Sequence, residues 1–374
     1  VADQQMQQPQ EGQMPVPDAP IVPPEEDTSD INKLITSTNL VPSILKKKIG
    51  TEILDSISEQ VIKGYEKDLG SRKEWDERNK EYMKLACQVM EVKNYPWPKA
   101  SNVKFPILTT AALQFSSRAY PSLVSGFDIV KAKAVGNDPE GKYNAIAQNI
   151  STHMSYQLLY EMFDWDEDMD KLCFILPIIG TVFKKTYYDP STGTNKSELI
   201  LARDLVVDYW AKNLECAYRK THRLWKTPNE ILSRQREKIY IEDEDYLDGA
   251  GLSQGGSIDE SKEFSTDERR PLDPDEASPR LLLEAHTFYD LDEDGYEEPY
   301  VITIDYESKK ILRMVARFYK EGVTIENKKI IKIVPCEYFT KFGFLPNPDG
   351  GFYDLGFGLL LGGVNDAVNT LINQ

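Results

Sequence analysis

Apolar side chains recur every four residues between Asp30 and about Met90. Ile53, Ile57 and Val61 keep this spacing with Leu54 beside them, and Trp75, Tyr82, Met83, Cys87 and Met90 resume it after a break at Gly70-Ser71. A helix turns once every 3.6 residues, so such spacing collects the apolar groups on one face and predicts amphipathic helices lying on a core. From Tyr95 prolines and aromatics crowd together as far as Phe105, which predicts an irregular packed loop. Pro106 then opens a helix through Leu108, Ala111, Ala112, Phe115 and Ala119, and Pro121 is expected to end it. Residues 127–135 alternate and predict a strand. Asp138-Pro139 predicts the cap of a long helix with Ile146, Ile150, Met154 and Leu158 on one face.

Beyond an acidic turn over 163–170, residues 171–179 read as an apolar helix. Two strands, 181–189 and 196–202, follow around a turn containing Gly193, and 204–210 offers a third. Thr227-Pro228 opens a helix over residues 227–240. Residues 241–279 are acidic and rich in Gly, Ser and Pro, the pattern of a long flexible loop. The chain is then β-rich, with strands expected at 281–290, 299–306, 310–319 and 329–339. A glycine- and aromatic-rich loop over 341–358 leads to a helix over 359–374. Residues 1–30, mostly Gln, Pro and acid, cannot bury enough apolar area to offset chain entropy and are expected to be disordered. The expected fold class is α+β, with more than one packed region.

Composition narrows the function. With 40% hydrophobic and 28% charged residues, most of the chain should fold. A net charge of -17 argues against a protein that grips a phosphate backbone, though an acidic wall suits a conduit past which a polyanion slides. Cys87, Cys173, Cys216 and Cys336 are far apart with no CxxC pair, so free and mostly buried thiols are expected rather than disulfides or zinc. The amino terminus lacks the apolar run of a secretory signal, and the longest apolar stretch, around Leu172–Ile179, is too short to span a bilayer. The chain starts without methionine and stops inside a helical pattern, so a piece of a longer protein is expected.

Several groups of residues could carry chemistry. Asp290, Asp292 and Asp294 followed by Gly295 match the start of a calcium loop. The twelfth position, however, is Val301 rather than a bidentate Glu, which favours an acidic hairpin turn. Asp164, Asp166, Glu167, Asp168 and Asp170 could imitate a two-metal nuclease site, but such a run more often marks a helix N-terminus, where the helix dipole favours negative charge. His153, His222 and His286 have no partner motif, and neither a P-loop nor GxGxxG occurs. Arg219, Lys220, His222, Arg223 and Lys226, then Arg234, Arg236 and Lys238, form one basic cluster in an acidic chain. It reads equally as half of an inter-subunit salt-bridge network or as a contact to DNA.

The order of the segments carries a resemblance. YPWPKASNVKFPILTTAALQFSSRAYPSLV is followed by NAIAQNISTHMSYQLLYEMFDWDEDMDKL and PIIGTVFKKTYYD, then by RDLVVDYWAKNLECAYRKTHRLWKTPNEI. EAHTFYDLDEDGYEEPYVITIDYESKKILRM and KIVPCEYFTKFGFLPNPDGGFYDLGFGLLLGGVNDAVNTLINQ complete the series. From about residue 72 to 374 this resembles the amino-terminal part of tailed-bacteriophage portal proteins, the head-to-tail connectors. The resemblance implies a portal-like fold. Residues 31–226 would form an α+β wing, 227–240 a stem helix, 280–340 a β-rich clip-like region and 359–374 the start of a second stem helix. It implies a ring, typically of twelve identical subunits, at one capsid vertex of the virion, assembled in the host bacterial cytoplasm. Double-stranded DNA would pass through the ring during packaging and ejection. The terminase packaging motor, tail adaptor proteins, and the major capsid and scaffolding proteins would be its partners, with no membrane, no cofactor and no enzymatic activity. Arg234, Arg236 and Lys238 would lie on the stem surface, and Phe352, Tyr353 and Phe357 would pack between neighbouring subunits. The competing expectations are a metal-dependent phage nuclease and another virion structural or scaffold protein.

Overall fold

The computed structural model describes residues 29–47, 49–89, 97–98, 100–124, 126, 129–136, 141–190, 192–242, 279–291, 295–326 and 329–374. Residues 1–28 of the predicted disordered tail, the acidic loop over 243–278, Met90, Tyr95 and Asp138-Pro139 lie outside these residues, and the last two residues of that tail, Ser29 and Asp30, open a helix instead.

The fold is α+β. Helices α1 (Ser29–Thr36), α2 (Val41–Leu45), α3 (Gly50–Ser71) and α4 (Lys73–Ala86) come first. Helices α5 (Ile107–Leu123), α6 (Lys142–Tyr156) and α7 (Trp165–Ile179) follow, with a π-helical turn, Gln157–Glu161, between the last two. Strands β1 (Thr181–Asp189) and β2 (Thr194–Leu201) form the predicted hairpin. Next come β3 (Leu205–Val207), β4 (Lys220–Lys226) and helix α8 (Pro228–Arg236). Strands β5 (Arg280–Tyr289), β6 (Glu298–Asp305), β7 (Ile311–Ala316), β8 (Phe318–Glu326), β9 (Lys329–Pro335) and β10 (Phe339–Gly343) precede helix α9 (Phe357–Ile372).

One antiparallel sheet runs β3-β4-β5-β6-β7, another β10-β1-β2, and β8-β9 form a ribbon. The wing-like and clip-like stretches of the sequence are therefore joined in one sheet through the β4–β5 pair, and again where β10 adds to β1. The predicted stripe of α3 works as expected: Leu54, Ile57 and Val61 pack with Ile302, Ile304 and Met314 of the five-stranded sheet. The opposite face of that sheet receives α8, with Ile231 and Tyr240 against Leu282 and Leu312.

Several expectations need correction. No strand forms over residues 129–135; this segment lies along α6 instead, where the Ser155 hydroxyl accepts the Val130 amide and the Ser151 hydroxyl donates to the Val130 carbonyl. Buried serines thus replace the apolar seat expected of α6, and its apolar face, Ile146, Ile150 and Met154, is exposed. Pro121 sits inside α5, which ends two residues later. The acids over 163–170 belong to the first turns of α7 rather than to a separate turn. The segments 310–319 and 329–339 each break into two strands. At the first break Arg317 leaves the sheet, its amide bonded to the Pro299 carbonyl and its own carbonyl taken by the Cys336 amide. The helix expected over 227–240 stops at Arg236. Cys173 is buried and Cys336 half-buried, but Cys87 and Cys216 are exposed.

Candidate functional site

The register of the five-stranded sheet builds the site. Side chains alternate between the faces of a strand, so aligned residues share a face. His222 of β4 stands opposite Glu284 of β5, Glu284 opposite Thr303 of β6, and Thr303 opposite Arg313 of β7. The next row carries Lys220 opposite His286. The face turned from α3 therefore gathers titratable groups from separate strands, while Leu281, Leu283 and Ala285 point to the helical side.

Strand β1 covers this polar face. Lys185 reaches Glu284 with Nζ 2.6 Å and 2.8 Å from the two carboxylate oxygens. His286 Nε2 lies 2.9 Å from the same carboxylate, and its ring packs on Phe339 with centroids 4.7 Å apart. Burial works against the Glu284 charge, yet Lys185 and the His286 hydrogen bond hold its carboxyl well below the usual range. Burial, then Lys185, lowers His222 to about 3; burial, against the pull of Glu284, lowers His286 to about 4. Both rings are neutral near pH 7. His286 then donates from Nε2, and its bare Nδ1 is buried without a partner among the described residues. Nearby, Lys220 and Arg317 share Glu337.

A cleft of about 220 Å³ opens onto this face, lined by Lys185, Lys226, Arg234, Glu284, His286 and Arg313, with Tyr187, Tyr240 and Tyr338 among its walls. Helix α8 is pinned here by a reciprocal cap: the Thr227 hydroxyl accepts the Glu230 amide, and Glu230 accepts the Thr227 amide. The capped helix projects Arg234 from its last turn over the ring of Tyr240.

The basic cluster read from the sequence is largely internal. Arg219 pairs with Asp68 and Asp208, Lys220 with Glu337 and Lys226 with Glu230. Lys220, His222 and Arg223 are buried in a strand, not displayed on the approach to a helix. Arg234 enters the cleft, whereas Arg236 and Lys238 remain exposed, the latter at positive φ. The acids of α7 are divided among separate partners. Asp166 accepts the Tyr120 hydroxyl, Glu167 pairs with Lys171 and Asp168 accepts the Leu199 amide. A groove of about 770 Å³ beside them includes Phe163 and Trp165, but no group of three potential metal ligands occurs among the described residues. Asp290 accepts the Gly295 amide in the β5–β6 turn, and Asp292 and Asp294 lie outside the described residues. Phe352, Tyr353 and Phe357 have partners within the chain: Tyr353 stacks on Trp75 at 4.0 Å, Phe352 on Phe183, and Phe357 meets Phe344 edge-on.

The sequence reading missed an asparagine ladder. Asn365, Asn369 and Asn373 of α9 and its end accept the amides of Ile107, Phe105 and Val103 in turn. Four residues of helix advance about 6 Å and two of extended chain about 6.6 Å, so the two repeats keep step. The signal lay in the N-x3-N-x3-N spacing. Asn365 also caps α5, where its side chain accepts the Leu108 amide.

The chain matches no known protein family, and no curated protein matches it, so the portal resemblance rests on the quoted segments alone. No described helix is long and apolar enough to cross a membrane.

Proposed function

We propose that the chain is the amino-terminal part of a portal-type ring subunit, a structural protein of a DNA-filled virion rather than an enzyme. The observation that carries this reading is a pair of exposed apolar stripes on different helices. On α6, Tyr143, Ile146, Ile150 and Met154 are 43% to 65% exposed. On α9, Leu360, Val364 and Leu371 are 50% to 70% exposed, while the Asn365 side of the helix is bound down. Large exposed apolar stripes mark interaction surfaces, and a closed ring of identical subunits needs two unlike patches on each copy. The order of the quoted segments supports the same reading. So does the net charge of -17, which suits a channel wall that does not hold its polyanionic cargo.

On this reading copies of the chain associate head to tail at a capsid vertex, and double-stranded DNA passes through the centre. The packaging motor and tail adaptors dock on the ring. Negative-stain electron microscopy of the complete gene product at high concentration tests it: annular particles with a central hole are expected. A strictly monomeric protein, or shells and fibres in place of annuli, would overturn the reading.

A further inference from the structure

The cleft between α8 and the five-stranded sheet holds more positive charge than it can neutralise. Its lining has four cations, Lys185, Lys226, Arg234 and Arg313, and two carboxylates, Glu198 and Glu284. Glu284 is committed to Lys185 and His286, while Glu198 accepts the Tyr187 hydroxyl, a neutral donor that leaves its charge in place. Lys226 turns to Glu230, so the cleft keeps one cation in excess. Arg234 and Arg313 remain, one from a helix end and one from β7, with no carboxylate partner among the described residues for either. Among the described residues Arg234 has only the face of Tyr240, and Arg313 donates Nε to the Thr38 carbonyl at 3.3 Å.

Burial pulls Arg313 below the usual arginine value, and Arg234 adds to the effect by repulsion, while Glu284 and Tyr240 oppose it. Two guanidinium groups facing one half-enclosed space repel each other unless an anion lies between them. In a chain of net charge -17 such a pair stands out against the surrounding field. The planar fork of arginine matches the oxygens of a phosphoryl group, and tyrosine hydroxyls on the walls add donors. The volume, about 220 Å³, is below the range of roughly 300–1,000 Å³ that takes drug-sized ligands, so the occupant is compact.

We propose that this cleft binds a compact oxyanion of the phosphate class, held between Arg234 and Arg313. The site is independent of ring assembly, and the same chemistry could come from a free phosphate or from the backbone of nucleic acid.

Calorimetric titration of the 374-residue chain with inorganic phosphate, at ionic strength held constant with chloride, tests the proposal. One saturable site is expected. Arg234→Gln and Arg313→Gln should each weaken it by about tenfold or more, because each removes a charge-assisted hydrogen bond. Arg236→Gln, on the same helix but exposed, should leave it unchanged. A second measurement uses the unaltered protein: phosphate should slow modification of Arg234 by phenylglyoxal while leaving Arg236 equally reactive. Displacement of phosphate by a short DNA duplex would identify the nucleic-acid backbone as the source, and failure to displace it would identify free phosphate; the site stands in both cases. Absence of saturable binding, or equal reactivity of Arg234 with and without phosphate, would overturn it.

Discussion

Lys185 of β1 and Glu284 of β5 belong to different sheets, yet they form a close ion pair with both side chains less than 15% exposed. A charge so enclosed depends on its partner more than it adds to stability in its own right. Glu284→Gln keeps the shape and removes the charge, leaving Lys185 buried without its counter-ion. The expected loss is about 3–5 kcal/mol of unfolding free energy, read from urea titration. The double change Lys185→Met with Glu284→Leu should cost less than the two single changes added together.

The histidines behind this pair should set the response to acid. His222 falls from 6.5 to about 3 and His286 from 6.5 to about 4, both chiefly through burial. The unfolded chain therefore takes up protons first as pH drops below about 6.5, and stability declines from there toward the folded values. Each histidine should contribute a slope of about 1.4 kcal/mol per pH unit in that window. His286→Gln should remove one such share. Glu284 acts further down: its contribution is full above the ordinary carboxylate value and is lost as pH falls through its depressed one. A stability profile that stays level from pH 6 to 4.5 would contradict this account.

The asparagine ladder should be graded. Asn365→Ala removes the side-chain acceptor of the Leu108 amide and one of the two acceptors of the Ile107 amide, which keeps the Phe105 carbonyl, at an expected cost of about 1–3 kcal/mol. Asn373→Ala, at the exposed end, should cost less. Hydrogen exchange at residues 103–108 measures the difference directly.

Gly180 ends α7 at φ +98°, where a Cβ would fall 2.4 Å from the Asp354 carbonyl oxygen. Gly193 is also at positive φ but its Cβ would meet open space. Gly180→Ala should therefore cost at least about 2 kcal/mol more than Gly193→Ala in thermal or urea unfolding.

If the exposed stripes are the ring contacts, Ile150→Asp on α6 and Val364→Asp on α9 should each abolish annular particles. The stability of the single chain should move by no more than about 0.5 kcal/mol, as for other surface changes. Sedimentation velocity beside urea unfolding separates the two effects.

Helix α3 was legible because Ile57 and Val61 obey a local period that survives in the fold. The β1–β2 hairpin was legible because its turn needs Gly193 at positive φ. Strand β4 was not legible: KTHRLWK looks like a solvated basic run. Its burial depends on Glu337, 117 residues beyond Lys220, and on a register with β5 that no local pattern encodes. Half of the candidate cleft was visible for the same reason. Arg234 announces itself as a cation, but Glu284, His286 and Arg313 gain meaning only when the strands align. The segment over 129–135 misled because alternation was read as pairing, whereas the Ser151 and Ser155 hydroxyls take the place of a neighbouring strand.

Because Asn369 and Asn373 seize main-chain amides at Phe105 and Val103, and both of those side chains are half in solvent, that seam is deaf to what those side chains are. Evolution can repaint residues 103 and 105 with anything but proline and keep the join, whereas the helix side tolerates almost no drift.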